Sequence, residues 1–166
     1  MSKKNAIVIH HTFSAWGDVS EIRKWHKSRG WRDIGYHKVI LNGFPSYKSF
    51  SSGKKNVAQE GAIKQGRPDN QIGAHTKEGN MNRLAFGVCV VGNFDSATPS
   101  QKLVKSVINC CVTLCKRHGI GSERIFFHRD WAINKRSGKP YKTCPGTKFP
   151  PREEIRFAVA DILSDY

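Results

Sequence analysis

The stretch Ile7-Val8-Ile9-His10-His11-Thr12 decides the fold. Its run of β-branched residues predicts a buried strand over residues 6–9, which would deliver His10 at its carboxyl end. A second apolar stretch, residues 124–127, predicts a short strand that leads into His128. We therefore expect the two histidines to emerge from the same edge of one sheet.

Other patterns along the chain alternate between strands and helices. Apolar runs predict strands over residues 36–41 and 85–91, with a turn at Asn42-Gly43 and a short return strand over residues 45–47. This alternation predicts an α/β protein, a single layered domain over residues 1–166 with a central mixed β-sheet flanked by helices.

Three amphipathic helices are predicted between these strands. The first begins with a capping box at Asp18 and ends near Gly30. The second begins with a capping box over residues 98–101 and ends near Gly119, and the third opens at Pro151. Residues 48–82 are rich in Gly, Ser, Lys and Asn, and predict a long functional loop region with one short helix near residues 55–64.

Composition limits the possible partners. The 166 residues carry 28 Lys and Arg against 13 Asp and Glu, a net charge of +15. This charge suits nucleic acid, anionic membranes or acidic cell-wall polymers, but the common nucleic-acid-binding motifs are missing from the sequence. The sequence also lacks a secretory signal and a membrane-spanning run, so we expect a cytoplasmic product.

The cysteines divide into two kinds. Cys110, Cys111 and Cys115 fall within one apolar helical pattern and are expected to be core thiols, whereas Cys144 precedes Pro145-Gly146 in a polar loop.

A zinc ion can be held by two histidines and a cysteine, with the fourth position left open for water. His10, His128 and Cys144 supply that set, and Lys142 adds a cation that favours the thiolate. A structural site would more typically contain Cys-x-x-Cys, which this sequence lacks, so a catalytic metal is favoured. Adjacent side chains of a strand point to opposite faces, so His11 is not expected to share the ion with His10.

Several short motifs follow one another in a recognisable order. They are Ile7-Val8-Ile9-His10-His11-Thr12, Ile22-Arg23-Lys24-Trp25-His26-Lys27, Gly30-Trp31-Arg32-Asp33-Ile34-Gly35-Tyr36-His37, Gly73-Ala74-His75-Thr76, Gly87-Val88-Cys89-Val90-Val91-Gly92, and His128 followed by Lys142-Thr143-Cys144-Pro145-Gly146. Through them the chain resembles the zinc-dependent N-acetylmuramoyl-L-alanine amidases of the type 2 amidase and peptidoglycan-recognition-protein superfamily. The similarity is greatest to the single-domain phage endolysins of the T7 lysozyme type.

The resemblance implies a role for each matching residue. The zinc ligands would be His10, His128 and Cys144, holding one Zn²⁺, and the catalytic side chains would be Tyr36 and Lys142. Groove-lining, substrate-binding positions would be filled by His11, Thr12, His26 and His75. The interval from His128 to Cys144 is longer than in close relatives, and its polar residues 134–139 suit an extruded loop.

The implied reaction is hydrolysis of the amide bond between N-acetylmuramic acid and L-alanine in peptidoglycan. We expect a monomeric phage-type endolysin without a separate wall-binding module, held in the host cytoplasm until it is released to the wall. Its positive charge would attract anionic envelope polymers. Two alternatives stay open: a non-catalytic peptidoglycan-binding module, and a regulator that binds a phage RNA polymerase, the latter by family analogy only.

Overall fold

The computed structural model describes residues 3–165 and contains a mixed β-sheet. Its strands are β1 (Ala6–His11), β2 (Lys38–Ile40), β3 (Ile63–Gln65), β4 (Ala85–Val90) and β5 (Ile125–Phe127). Their spatial order is β3-β2-β4-β1-β5, and only β3 runs antiparallel to its neighbour. The α/β class and the mixed sheet predicted from the sequence are thereby confirmed.

Helices cover the sheet. They are α1 (Val19–Ser28), α2 (Tyr47–Ser51), α3 (Met81–Leu84), α4 (Gln101–His118), α5 (His128–Trp131) and α6 (Arg152–Ser164), with short 3₁₀ turns at Val57–Gln59, Glu78–Asn80 and Ser122–Arg124. Within residues 3–165, none of these helices is both long enough and apolar enough to span a membrane.

Strand β1 is buried along its whole length because helices and loops cover both of its faces. Ile7 and Ile9 point to one face and join the main core cluster, which α4 and α6 complete. Ala6 and Val8 point to the other face and pack with Met81 of α3. This alternation, the period of two of a strand, fixes which side of the sheet each histidine of β1 faces.

The helix termini follow the sequence closely, with one correction. The Asp18 side chain caps α1 by accepting a hydrogen bond from the Glu21 amide at 2.8 Å, as predicted. The capping box predicted over residues 98–101 is wrong: Ser100 is the N-cap of α4 and accepts from the Leu103 amide at 3.2 Å. Gly119 ends α4 in the left-handed region (φ 65°), which favours glycine.

The predicted return strand over residues 45–47 is also wrong. Ser46 instead caps α2 by accepting a hydrogen bond from the Ser49 amide at 3.2 Å, so the chain turns into a helix there. The return strand comes later, as β3, which pairs antiparallel with β2. Of the helix expected near residues 55–64, only the 3₁₀ turn at Val57–Gln59 forms.

Stability should depend on the buried face of α6 and not on its exposed face. We expect Ile155→Ala, at a side chain only 1% exposed, to lower the free energy of unfolding by about 2–5 kcal/mol through lost burial and a residual cavity. The matched change Phe157→Ala, at a side chain 75% exposed, should cost less than about 0.5 kcal/mol. Urea denaturation measures both, and equal losses would contradict this packing.

Candidate metal centre

Three potential metal ligands meet at the carboxyl edge of the sheet. The parallel register pairs Ile9 with Phe127, so the next residues, His10 near the end of β1 and His128 at the start of α5, lie at the same level. The loop after α5 brings Cys144 to them. One ligand atom from each of the three residues lies within 4.8 Å of the others, and His10 Nδ1 is 3.8 Å from Cys144 Sγ.

The loop that carries Cys144 is held by its neighbours. The Arg129 amide donates to the Cys144 carbonyl at 3.0 Å, and the Arg129 guanidinium donates to the Thr143 carbonyl at 3.1 Å. The Asp95 carboxylate accepts from the Thr143 hydroxyl at 2.7 Å and from the Thr147 amide at 2.8 Å. These bonds fix the cysteine loop against α5 and the segment after β4.

The electrostatics of the three side chains suit a bound cation. Burial lowers the pKa of His10 well below its usual range, and burial together with the Lys142 charge lowers the pKa of His128 to about 4. Both imidazoles are therefore neutral near pH 7, the form that binds metal. Burial raises the pKa of the Cys144 thiol to about 12.

A cation at these three atoms would provide the positive charge that the thiolate needs. Zinc bonds of about 2.0–2.3 Å in tetrahedral geometry separate ligand atoms by about 3.3–3.8 Å. The distance of 3.8 Å between His10 Nδ1 and Cys144 Sγ lies at the upper end of that range. The donor set of two neutral histidines and one cysteine therefore fits a zinc ion.

Tyr36 lies beside His10 in the candidate site. Its ring centroid is 5.2 Å from that of His10 and 5.3 Å from that of His26. Burial raises the pKa of Tyr36 well above its usual value, and the nearby Cys89 and Cys144 raise it further. The phenol therefore stays protonated near neutral pH and can donate a hydrogen bond.

One cleft of about 520 Å³ is lined by all nine residues predicted from the sequence as metal ligands, catalytic side chains or substrate-binding residues. They are His10, His11, Thr12, His26, Tyr36, His75, His128, Lys142 and Cys144. The cleft thus brings the predicted metal ligands, the predicted catalytic side chains and the predicted groove residues into one site. Their individual roles stay predictions.

The four predicted groove residues differ in whether a hydrogen-bonding group is left over for a substrate. His11 Nδ1 accepts from the Phe94 amide at 3.1 Å, and His26 Nδ1 accepts from the Gly35 amide at 2.9 Å. Burial lowers the pKa of each histidine to about 4, so both rings are neutral near pH 7 and carry their proton on Nε2.

The other two predicted groove residues are already engaged within the protein. The Thr12 hydroxyl bonds to the backbone of Ser14 and Gly92. His75 is only 8% exposed, and its Nδ1 lies 3.1 Å from His10 Nε2.

The sequence did not indicate that Glu78 would lie beside His128. Its Oε1 accepts a hydrogen bond from the Tyr141 hydroxyl, and its buried Oε2 has no hydrogen-bond partner and lies 3.9 Å from His128 Nε2. Glu78 begins the 3₁₀ turn 50 residues before His128 in the chain, and no local pattern links the two. Phe13 was also missed: it lines the cleft at 63% exposure with a left-handed backbone (φ 62°), which is uncommon for a non-glycine residue.

The long interval between His128 and Cys144 forms a small exposed loop. Ile133 pairs with Pro140 in an antiparallel bridge, and the Asn134 amide donates to the Lys139 carbonyl at 2.8 Å. The polar extruded loop expected from the sequence is therefore present. It returns the chain to the cleft at Lys142, which is exposed there.

Comparisons with known proteins agree with this geometry. The chain matches the N-acetylmuramoyl-L-alanine amidase family over residues 2–147 and belongs to that family. It is 33% identical to an endolysin of Escherichia phage T7 over 107 residues, which are 60% of this chain and 57% of that protein. The chain thus spans little more than half the length of this curated relative.

Solved structures share the fold. An endolysin N-acetylmuramoyl-L-alanine amidase, LysCS from Clostridium intestinale, superposes with a TM-score of 0.72 at 30% identity, covering 93% of this chain and 82% of that chain. Drosophila PGRP-LB superposes with a TM-score of 0.66 at 19% identity, covering 100% of this chain and 82% of that one, a similarity of fold.

The Asp95 contacts predict a pH-dependent contribution to stability. Hydrogen bonds from Thr143 and Thr147 lower the pKa of Asp95, so its ionised form stabilises the folded state. That contribution is present above the usual carboxyl pKa of about 4 and is lost as pH falls through the lowered folded-state value. We expect Asp95→Asn to lower the melting temperature at pH 7, with a smaller difference from wild type at pH 3.

The control for this experiment is Asp161→Asn on the exposed side of α6. It should change the melting temperature little at either pH. A gap between Asp95→Asn and wild type that stays constant from pH 7 to pH 3 would contradict the role given to the Asp95 charge.

Proposed function

We propose that this protein is a zinc-dependent peptidoglycan amidase of the phage endolysin type. It hydrolyses the amide bond that joins the lactyl group of N-acetylmuramic acid to L-alanine. The observation that carries the proposal is the cluster of His10, His128 and Cys144, with Tyr36 and Lys142 in the same cleft. Membership of the N-acetylmuramoyl-L-alanine amidase family supports the same conclusion.

His10, His128 and Cys144 would hold the zinc ion. A bound zinc ion lowers the pKa of a coordinated water to about 7 and polarises a carbonyl oxygen. Amide hydrolysis also places negative charge on the carbonyl oxygen of the substrate. The Lys142 ammonium lies at the cleft and can stabilise that charge.

Tyr36 acts in this proposal as a hydrogen-bond donor. Its raised pKa keeps the hydroxyl protonated at neutral pH, and its ring lies against His10. From there the hydroxyl can orient the attacking water or supply a proton to the leaving amine of L-alanine.

Substrate binding would use the walls of the cleft. His11 and His26 have Nε2–H groups left to donate to sugar or peptide carbonyls, because Nδ1 of each is bonded to a backbone amide. The net charge of +15 would attract the protein to anionic polymers of the cell envelope and raise its concentration there.

Purified peptidoglycan tests the reaction and the metal together. We expect the zinc-loaded wild type to release new L-alanine amino termini, whereas a chelated sample and Cys144→Ser should release almost none because the ligand set is broken. The control is Cys115→Ala, which removes a buried thiol of α4 outside the cleft and should remain active. Equal release from all samples would contradict the zinc mechanism, and binding without release from any would favour the peptidoglycan-binding module.

Removal of the Lys142 charge should affect turnover more than binding. We expect Lys142→Ala to lower kcat by about 100- to 1,000-fold with a smaller change in KM, because the ammonium acts on charge that develops during reaction. Lys139→Ala, in the same exposed loop, removes equal charge and should leave kcat within about twofold. Similar kinetics for the two variants would show that Lys142 contributes only general surface charge.

A further inference from the structure

A pair of buried side chains lies directly behind His10, on the side away from Cys144. His75 Nδ1 is 3.1 Å from His10 Nε2, and the Thr76 hydroxyl is 3.3 Å from the same His10 nitrogen. The Thr76 hydroxyl is also 3.0 Å from His75 Nδ1. His75 Nε2 lies 3.3 Å from the carbonyl oxygen of Ala85.

These contacts fix the protons on both rings. His10 Nδ1 faces Cys144 Sγ at 3.8 Å, so Nδ1 is the nitrogen available to a metal and Nε2 must carry the proton. The Ala85 carbonyl can only accept, so it selects the form of His75 that has its proton on Nε2. His75 Nδ1 is then an unprotonated acceptor next to the His10 Nε2–H group.

Thr76 is compatible with the same arrangement. Its hydroxyl can accept from His10 Nε2 and donate to His75 Nδ1 at once, because a hydroxyl has one donor and two acceptor sites. The contact between His10 Nε2 and His75 Nδ1 therefore requires the His10 form that presents Nδ1 to a metal, and the Thr76 hydroxyl can adapt to it. Neither nitrogen of His75 is left for a substrate.

The protein holds His75 in this place from several directions. The Asn82 side-chain oxygen accepts from the backbone amides of His75 and Thr76, at 2.6 and 2.7 Å. The ring is seated between Gly73 and Gly87, where a Cβ at either position would lie 2.6 Å from His75 Cδ2. The imidazole therefore fits closely against these two glycines, which restricts its rotation.

We propose that His75 and Thr76 are positioning residues for His10, which hold its ring and proton so that Nδ1 can bind zinc. This replaces the substrate contact that the sequence motif suggested for His75. The inference rests on the proposed zinc function. In metal sites generally, such partners of a histidine ligand orient the ring and increase its basicity.

Zinc affinity tests this inference without reference to catalysis. Affinity is measured by competition with a chromophoric chelator for wild type, His75→Leu, His75→Asn and Thr76→Val, with folding checked by circular dichroism. We expect His75→Leu to weaken zinc binding by about 10- to 100-fold because His10 Nε2–H loses the nearer of its two acceptors and only the Thr76 hydroxyl remains. His75→Asn should recover part of the loss because its side-chain oxygen can replace Nδ1, and Thr76→Val should weaken binding less.

The control is His37→Gln, a buried histidine near His75 whose own bonds go to the Gly87 amide and the Gln71 carbonyl. It should retain wild-type zinc affinity even if it lowers stability. Nitrogen-15 spectra of the zinc-loaded wild type should show the His10 proton on Nε2.

The possible outcomes distinguish the proposed zinc centre from the positioning role of His75 and Thr76. A wild type that binds no zinc would overturn the metal centre and this inference with it. Zinc-binding wild type with unchanged affinity in the folded His75 and Thr76 variants would overturn the inference alone. If His75→Leu fails to fold, the order of affinities among wild type, His75→Asn and Thr76→Val decides. A raised KM with unchanged zinc affinity would return His75 to a substrate role.

Discussion

The parallel pairing of β1 with β4 and β5 is the constraint on which the rest of the site depends. Burial on both faces favours one register of β1, because a slip of one residue would exchange the larger Ile7 and Ile9 with the smaller Ala6 and Val8 between two packed faces. That register sets Ile9 opposite Phe127 and so brings His10 and His128 to one level of the sheet edge. The same slip would exchange the faces of His10 and His11. Apolar packing therefore selects which histidine can reach the proposed metal centre.

Much of this architecture was predictable because its causes are local. The apolar runs of β1, β4 and β5 and the periodic faces of α4 and α6 lie in continuous stretches of sequence, and all of these elements form where expected to within a few residues. The grouping of His10, His128 and Cys144 followed from two strand ends and one cysteine outside the apolar patterns, and the three atoms do lie together.

What escaped prediction depends on partners far apart in the chain. Thr76 meets His10 across 66 residues and Asp95 meets Thr143 across 48, and a polar residue in a loop has no periodicity from which a partner can be deduced. The start of α2 escaped for a different reason. Ser46 suits either a turn between strands or a helix cap, and the Ser49 side chain and amide decide in favour of the cap.

Gly73 and Gly87 contribute to the proposed metal centre because they have no side chain where the His75 ring packs. Neither has a side chain to offer a metal or a substrate, yet the His75 ring fits only because both lack a Cβ. Gly87 lies in β4 opposite Val8, in the interior of a strand, where glycine is otherwise unfavourable. Mutational tolerance around this centre is consequently set by steric exclusion as well as by chemistry. At these two positions the lack of a side chain is itself the requirement.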